Sequence, residues 1–307
     1  MQQAKARAER LHPPMPQVNL SVPTVLRMWL VSACALLVVI QSSLGDSFFS
    51  LIIALSAVAA AVGTELLFLV HRGRLAVLKD GSAVASALIL AILLPNQISP
   101  LYAASGAIFA MAVVKNGFGG LGGNWLNPAV GGWLFIRLSW PASFTTTQDT
   151  SPLVAADVPD GAVAHGNIID FLTSTSPGII ADRGGAALLL AAFVLTVLRV
   201  NRFWIPCVYL GIFGLLAYFT AGNTALLVAI FSGGTLAAAF FLACDPVTSA
   251  KSLPGMFLAA AAGGALAFFF RFHGHELYGA VFAAALLNAL FPLVRIAERR
   301  CLYQRCL

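Results

Sequence analysis

The sequence predicts an all-α polytopic membrane protein: about ten transmembrane helices in two inverted five-helix repeats with broken helices. Three observations carry that prediction. The 307 residues are 59% apolar and 10% charged, with a mean hydropathy of +0.88, and their apolar runs recur to the end of the chain. Basic residues are partitioned between the runs as loops on two sides of a bilayer would be. The second half of the chain also echoes the first. A secretory signal would give one short apolar run ahead of a polar domain, so nothing here reads as a cleaved leader.

Residues 1–23 form a polar arm with Lys5, Arg7, Arg10 and prolines at 13, 14 and 16, and are expected in the cytoplasm. Apolar runs then cover 24–42, 48–70, 81–95, 101–115 and 126–140, giving a first five-helix repeat over 24–140. A loop over 141–184 separates this unit from runs at 185–200, 204–220, 224–243, 255–271 and 277–294, the second repeat over 185–294. Residues 295–307 are a second cytoplasmic tail. Several runs are shorter than the ~20 residues of a straight span, which calls for broken helices whose irregular backbone is sheltered inside protein.

Ten crossings from a cytoplasmic N-terminus put 15 of the 18 Lys and Arg residues inside or at the inner boundary; only Arg137, Arg183 and Arg271 fall outside. Acidic residues lean outward, among them Asp46, Asp149, Asp157, Asp160, Asp170, Asp182 and Glu276. Both termini are therefore expected inside and loop 141–184 outside. The net charge of +6 is absorbed by this loop bias and points to no nucleic-acid partner.

The repeat is read from DGSAVASALILAILLP (80–95) against SGGTLAAAFFLACDP (232–246). Each begins with small residues, ends at a proline inside an apolar run, and precedes a glycine-containing hairpin about thirty residues on, FGGLGGN at 118–124 and HGHELYG at 273–279. Five crossings per unit invert the second copy, and broken helices of such repeats meet near the midplane.

Within this frame few residues carry chemistry. GFGGLG at 117–122 matches a dinucleotide fingerprint but follows a membrane span, without the strand or the later acidic residue that the fingerprint needs. With Asn124 and Asn127-Pro128 it instead describes a tight backbone open to close approach, starting a helix at Pro128, or a plain turn. CDPVTSAKS (244–252) places Asp245, Thr248 and Ser249 where a helix stops at Pro246, either to hold an ion or cofactor edge or as an ordinary stop and cap. Glu65 lies seven residues from Arg72, as an intramembrane functional carboxylate or one reaching the interface. His273, His275 and Glu276 read as a solvated hairpin rather than a metal site. None of the five cysteines forms a C-x-x-C pair, and Cys301 and Cys306 read as free thiols of the tail. The outer loop ends in DFLTSTSP (170–177), hydroxyls without the elbow of a hydrolase. They read as acceptors for covalent modification or as a polar linker.

The ordered set DGSAV (80–84), FGGLGGNWLNPA (118–129), D-x-x-T-S-T-S-P (170–177) and ACDPVTS (243–249) resembles the NqrB/RnfD family. That family comprises D subunits of Rnf ion-translocating electron-transport complexes and B subunits of sodium-pumping NADH:quinone reductases. The resemblance covers about residues 24–294, and the chain's length is similar to the Rnf branch. It implies FMN joined by a phosphoester to the last hydroxyl of a D-x-x-[ST]-G-A-T signature, installed outside the membrane by a flavin transferase. Asp170 takes the signature's aspartate, Thr173 its first hydroxyl, and Ser174 and Thr175 its Gly-Ala pair. Ser176 takes the acceptor, where the signature has threonine, and Thr175 is the neighbouring alternative.

The resemblance further implies a multi-pass protein of the bacterial inner membrane that passes electrons through flavin beside other membrane and peripheral subunits, with a second, noncovalent flavin as an added expectation. Asn127, Asp245 and Thr248 are the binding residues expected near the interior. Its architecture alone would equally suit a solute channel or transporter, or a flavin-free scaffold of the same complex.

Overall fold

The computed structural model describes residues 22–45, 48–72, 75–120, 123–144, 172, 174, 178–245, 252–274 and 277–290. Helices carry the described chain: α1 (Val22–Leu44), α2 (Phe49–His71), a 3-10 turn (Leu75–Asp80), α3 (Ser82–Ile92) and α4 (Pro100–Phe109, continuing as a π-helix over Ala110–Asn116). α5 (Pro128–Ser139), α6 (Ile180–Arg183), α7 (Gly185–Val197), α8 (Trp204–Phe231), α9 (Thr235–Ala237, continuing as a π-helix over Ala238–Leu242), α10 (Leu253–Phe272) and α11 (Gly279–Leu290) follow. Among the described residues there is no strand, only an antiparallel bridge between Pro95 and Ile179.

The chain is an all-α membrane protein. Thr24–Leu44, Phe49–His71 and Leu253–Phe272 are long and apolar enough to cross a bilayer, and Ser82–Ile92, Gly185–Val197, Trp204–Thr220 and Gly279–Leu290 are shorter apolar helices. Leu44, Leu55, Leu67 and Leu258 stand exposed on the long helices, an outer surface that water would not tolerate and that hydrocarbon covers without cost. Prolines open several helices where their missing N–H is harmless. Pro128 follows Asn127, whose side chain accepts from the Ala129 N–H at 2.9 Å, and Ser252 caps α10 by accepting from the Gly255 N–H.

Small residues set the closest crossing. A Cβ at Gly132 on α5 would lie 2.6 Å from the Gly106 carbonyl oxygen on α4, so neither helix could carry a side chain there without moving apart. Trp133, beside it, donates its indole N–H to the Leu93 carbonyl at 3.0 Å and packs edge-on against Phe144, Tyr278 and Phe282. That bond satisfies a carbonyl freed where α3 stops short, and the ring contacts with Tyr278 and Phe282 join the two halves of the chain in one core.

The run expected over 224–243 departs from the sequence reading. Helical backbone covers Trp204–Phe231, yet a Cβ on Gly214 would lie 3.5 Å from Leu226 Cδ1 and 3.7 Å from Ile230 Cδ1. Sixteen residues of straight helix would separate those positions by about 24 Å, so α8 doubles back on itself. A new helix then starts only at Thr235, because Gly233 and Gly234 take φ of 65° and 71° and break the run. The start of α3 has the same device: its N-cap is Gly81, at φ 72°.

Candidate functional site

Polar side chains gather in two places. One is a cleft of about 770 Å³, counting its open mouth, where α1, α3, the end of α4 and the start of α5 face the end of α9. Asn127 and Asp245 meet there across 118 residues of sequence, Nδ2 donating to Oδ2 at 2.8 Å. Asn127 is free to do this with its amide nitrogen because its oxygen already caps α5. Asn124, Asn201 and Lys115 add polar groups to the lining, and Phe240 and Phe241 an aromatic wall. Two of the residues singled out in the sequence are thus brought together; Thr248 lies outside the described residues.

Glu65 reaches no interface. It is 2% exposed and receives a hydrogen bond from Lys115 Nζ at 2.5 Å, while Lys115, equally buried, also donates to Ser82 Oγ at 2.5 Å. Asp80 Oδ1 in turn accepts from the Ser82 N–H and hydroxyl at 2.8 and 2.6 Å. The interfacial reading of Glu65 is therefore corrected: a cation fifty residues away holds it inside, whereas Arg72 turns to the Asn116 carbonyl. In the glycine hairpin, Gly119 and Gly120 face open space with left-handed backbone, in keeping with the plain-turn alternative, while a Cβ at Gly117 or Gly123 would clash with a carbonyl oxygen of its own turn.

The second place is built from α6, the end of α8, the start of α9 and α10. Asp182 accepts from the Gly233 and Gly234 N–H groups at 2.8 and 2.9 Å, which holds the turn before α9. Arg271 is 6% exposed and donates to the Ala229 and Ser232 carbonyls, to Thr235 Oγ1 and to Ser232 Oγ. Arg137 lies over the Phe144 ring at 5.4 Å. Basic residues that broke the charge partition thus include one buried among carbonyls and one stacked on an aromatic face, not free loop charges. His273 stacks on Phe269 at 5.5 Å, and His275 and Glu276 lie outside the described residues.

Of the segment 170–177, Asp170, Thr173, Thr175 and Ser176 lie outside the described residues; Leu172 and Ser174 are described. Ser174 is 3% exposed, has φ 66°, and donates its hydroxyl to the Gln41 carbonyl at 3.0 Å. Sequence reasoning missed Gln41, Lys115, Asp182 and Arg271 as site residues. Each is an ordinary residue in its own helix or loop, and only the fold supplies its partner.

Comparison with known proteins adds a family signal. The family model described as NQR2, RnfD, RnfE family matches residues 13–303. The chain is 31% identical to the D subunit of the ion-translocating oxidoreductase complex of Shewanella amazonensis, covering 78% of this chain and 82% of that protein. It is 28% identical to the D subunit of the proton-translocating ferredoxin:NAD(+) oxidoreductase complex of Clostridium ljungdahlii, over 78% and 80% of the two chains. It is also 28% identical to the D subunit of the Na(+)-translocating ferredoxin:NAD(+) oxidoreductase complex of Acetobacterium woodii, over 73% of each.

Proposed function

The chain belongs to the NQR2, RnfD, RnfE family, and from that premise we propose that it is the D subunit of an Rnf-type ion-translocating ferredoxin:NAD oxidoreductase complex, carrying electrons through FMN bound covalently at Ser176. It works in the bacterial inner membrane beside other membrane and peripheral subunits, with both termini in the cytoplasm. The observation that carries the reading is the backbone of Ser174. It stands where the resembled signature has glycine, and its φ of 66° is the left-handed conformation that glycine adopts freely. A serine held in a conformation that glycine favours is compatible with the signature's glycine, which supports the alignment that puts Ser176 at the acceptor.

The attachment balances with a flavin dinucleotide as donor, presented by an extracytoplasmic flavin transferase. The Ser176 hydroxyl oxygen forms the new P–O bond to the flavin-side phosphorus, the pyrophosphate bond breaks, a nucleoside monophosphate leaves and the hydroxyl proton passes to solvent. Bound flavin supplies one- and two-electron redox chemistry, and the protein supplies its position and surroundings. Ser176→Ala is expected to abolish in-gel flavin fluorescence while leaving the protein in the membrane, and Thr175→Ala to retain it. A parent protein that stays dark when coexpressed with a working transferase would overturn the reading.

The matched starts of α3 and α9 support an inverted repeat of five crossings per unit. Gly81 and Gly234 make the same left-handed cap, and each start is gripped by a cation from the helix that follows, Lys115 on Ser82 and Arg271 on Thr235. Ten crossings with loop 141–184 outside put the first grip near the cytoplasm and the second near the outer face.

The cleft supports the second, noncovalent flavin. Its residues fit that group: the Asn124 and Asn127 amides and the Asp245 carboxylate offer donors and acceptors for a ring edge, and Phe240 and Phe241 offer apolar faces. Asp245→Ala is expected to lower the flavin released by acid precipitation of the purified complex by about half or more, with covalent fluorescence unchanged. Equal release from parent and variant would remove the cleft from the account.

A further inference from the structure

We propose that the end of α1 is the seat on which the acceptor turn is presented: Gln41 and Gly45 hold Ser174 left-handed and act as positioning residues for covalent attachment. The proposal rests on the reading that Ser176 carries flavin. It concerns why this segment is a substrate for modification.

Gln41 is among the last four residues of α1, so its carbonyl has no partner within the helix. Ser174 Oγ–H fills that vacancy at 3.0 Å. The Gln41 side chain holds the loop from both ends: Nε2 donates to the Leu172 carbonyl at 2.7 Å, and Oε1 accepts from the Ala187 N–H at the start of α7. One residue therefore fixes the chain on each side of 173–177. Gly45 completes the seat, since a Cβ there would lie 2.6 Å from the Ser174 carbonyl oxygen and 3.3 Å from its Cβ. Any side chain at 45 would lift the turn away.

Ser174 needs this support because a residue with a Cβ adopts positive φ only at a cost, which its burial and its long-range hydrogen bond to Gln41 offset. Its burial and its bond to Gln41 also explain why, in a run of hydroxyls, this one is unsuited as the acceptor. Ser174 is a fixed point two residues before Ser176 in the chain. The anchor continues downstream, where Asp182 ties the same segment to Gly233 and Gly234 ahead of α9.

The test uses the full-length chain in membranes with a coexpressed flavin transferase, reading the initial rate of fluorescence gain per unit of tagged protein, with detergent melting temperature as the control. Gln41→Glu keeps an oxygen for the Ala187 N–H but sets a second oxygen against the Leu172 carbonyl. It is expected to slow attachment about fivefold or more, with melting near that of the parent. Gly45→Val should act in the same direction. Ser174→Gly should label at the parental rate, and added to Gln41→Glu it should restore most of the lost rate, because glycine needs no support at that φ. Parental labelling of Gln41→Glu, or failure of Ser174→Gly to rescue, would overturn the seat while leaving flavin attachment standing. A parent that is never labelled would take both down together.

Discussion

Lys115→Met is expected to destabilise the protein by about 3–5 kcal/mol, read as a large fall in the detergent melting temperature. Lys115 is 2% exposed, and its ammonium is the hydrogen-bond donor that holds Glu65 Oε1 and Ser82 Oγ at 2.5 Å each. Methionine fills the space but leaves a buried carboxylate with no counter-charge and strips the start of α3 of its grip. Glu65 Oε2 and Asp80 Oδ2 already lack hydrogen-bond partners, so the cluster has no spare donor to compensate. Pairing the change with Glu65→Gln removes the stranded charge and should recover more than half of the loss. A Lys115→Met protein that melts with the parent would show that the pair does not form in the membrane.

Arg271→Leu is expected to cost about as much, for a different reason. The guanidinium satisfies the Ala229 and Ser232 carbonyls, at 3.0 and 2.7 Å, together with the Thr235 and Ser232 hydroxyls. Leucine would remove a buried, charged donor from all four groups, at about 1.5–3 kcal/mol for each hydrogen bond to a charged group lost, while the Thr235 hydroxyl still reaches the Ala229 and Ser232 carbonyls at 3.2 and 3.0 Å. Arg271→Lys should recover less than half, because one ammonium cannot reproduce a planar fork that faces two carbonyls. Hydrogen exchange at the Gly233 and Gly234 amides reports the outcome directly. These N–H groups bond Asp182, and their exchange should accelerate in Arg271→Leu as the turn loosens. Unchanged protection would contradict the grip.

Much of the fold was legible because a bilayer makes hydropathy nearly sufficient. Runs expected over 24–42, 48–70, 101–115 and 255–271 appear as Val22–Leu44, Phe49–His71, Pro100–Asn116 and Leu253–Phe272, and the helix start at Pro128 was read from Asn127-Pro128. The break between α8 and α9 was not legible, since it is set by positive φ at Gly233 and Gly234 rather than by any loss of hydrophobicity. Asn127 and Asp245 were singled out from separate motifs, and the fold joins them. The partners of Glu65 and Asp182 were hidden for a physical reason: each depends on an inter-helix approach that no local spacing encodes. Gln41 shows the limit most clearly. It is one of several polar residues in a 23-residue, mostly apolar helix, and it matters only because Leu172 and Ser174 rest on it.

The measurement that tests the central claim most directly is the mass of the tryptic peptide running from residue 138 to Arg183, taken from the complex purified with a working transferase. The account predicts a gain equal to FMN less one water, with fragmentation placing it on Ser176. The same peptide at its unmodified mass, in protein from cells where the transferase labels another substrate, would contradict it.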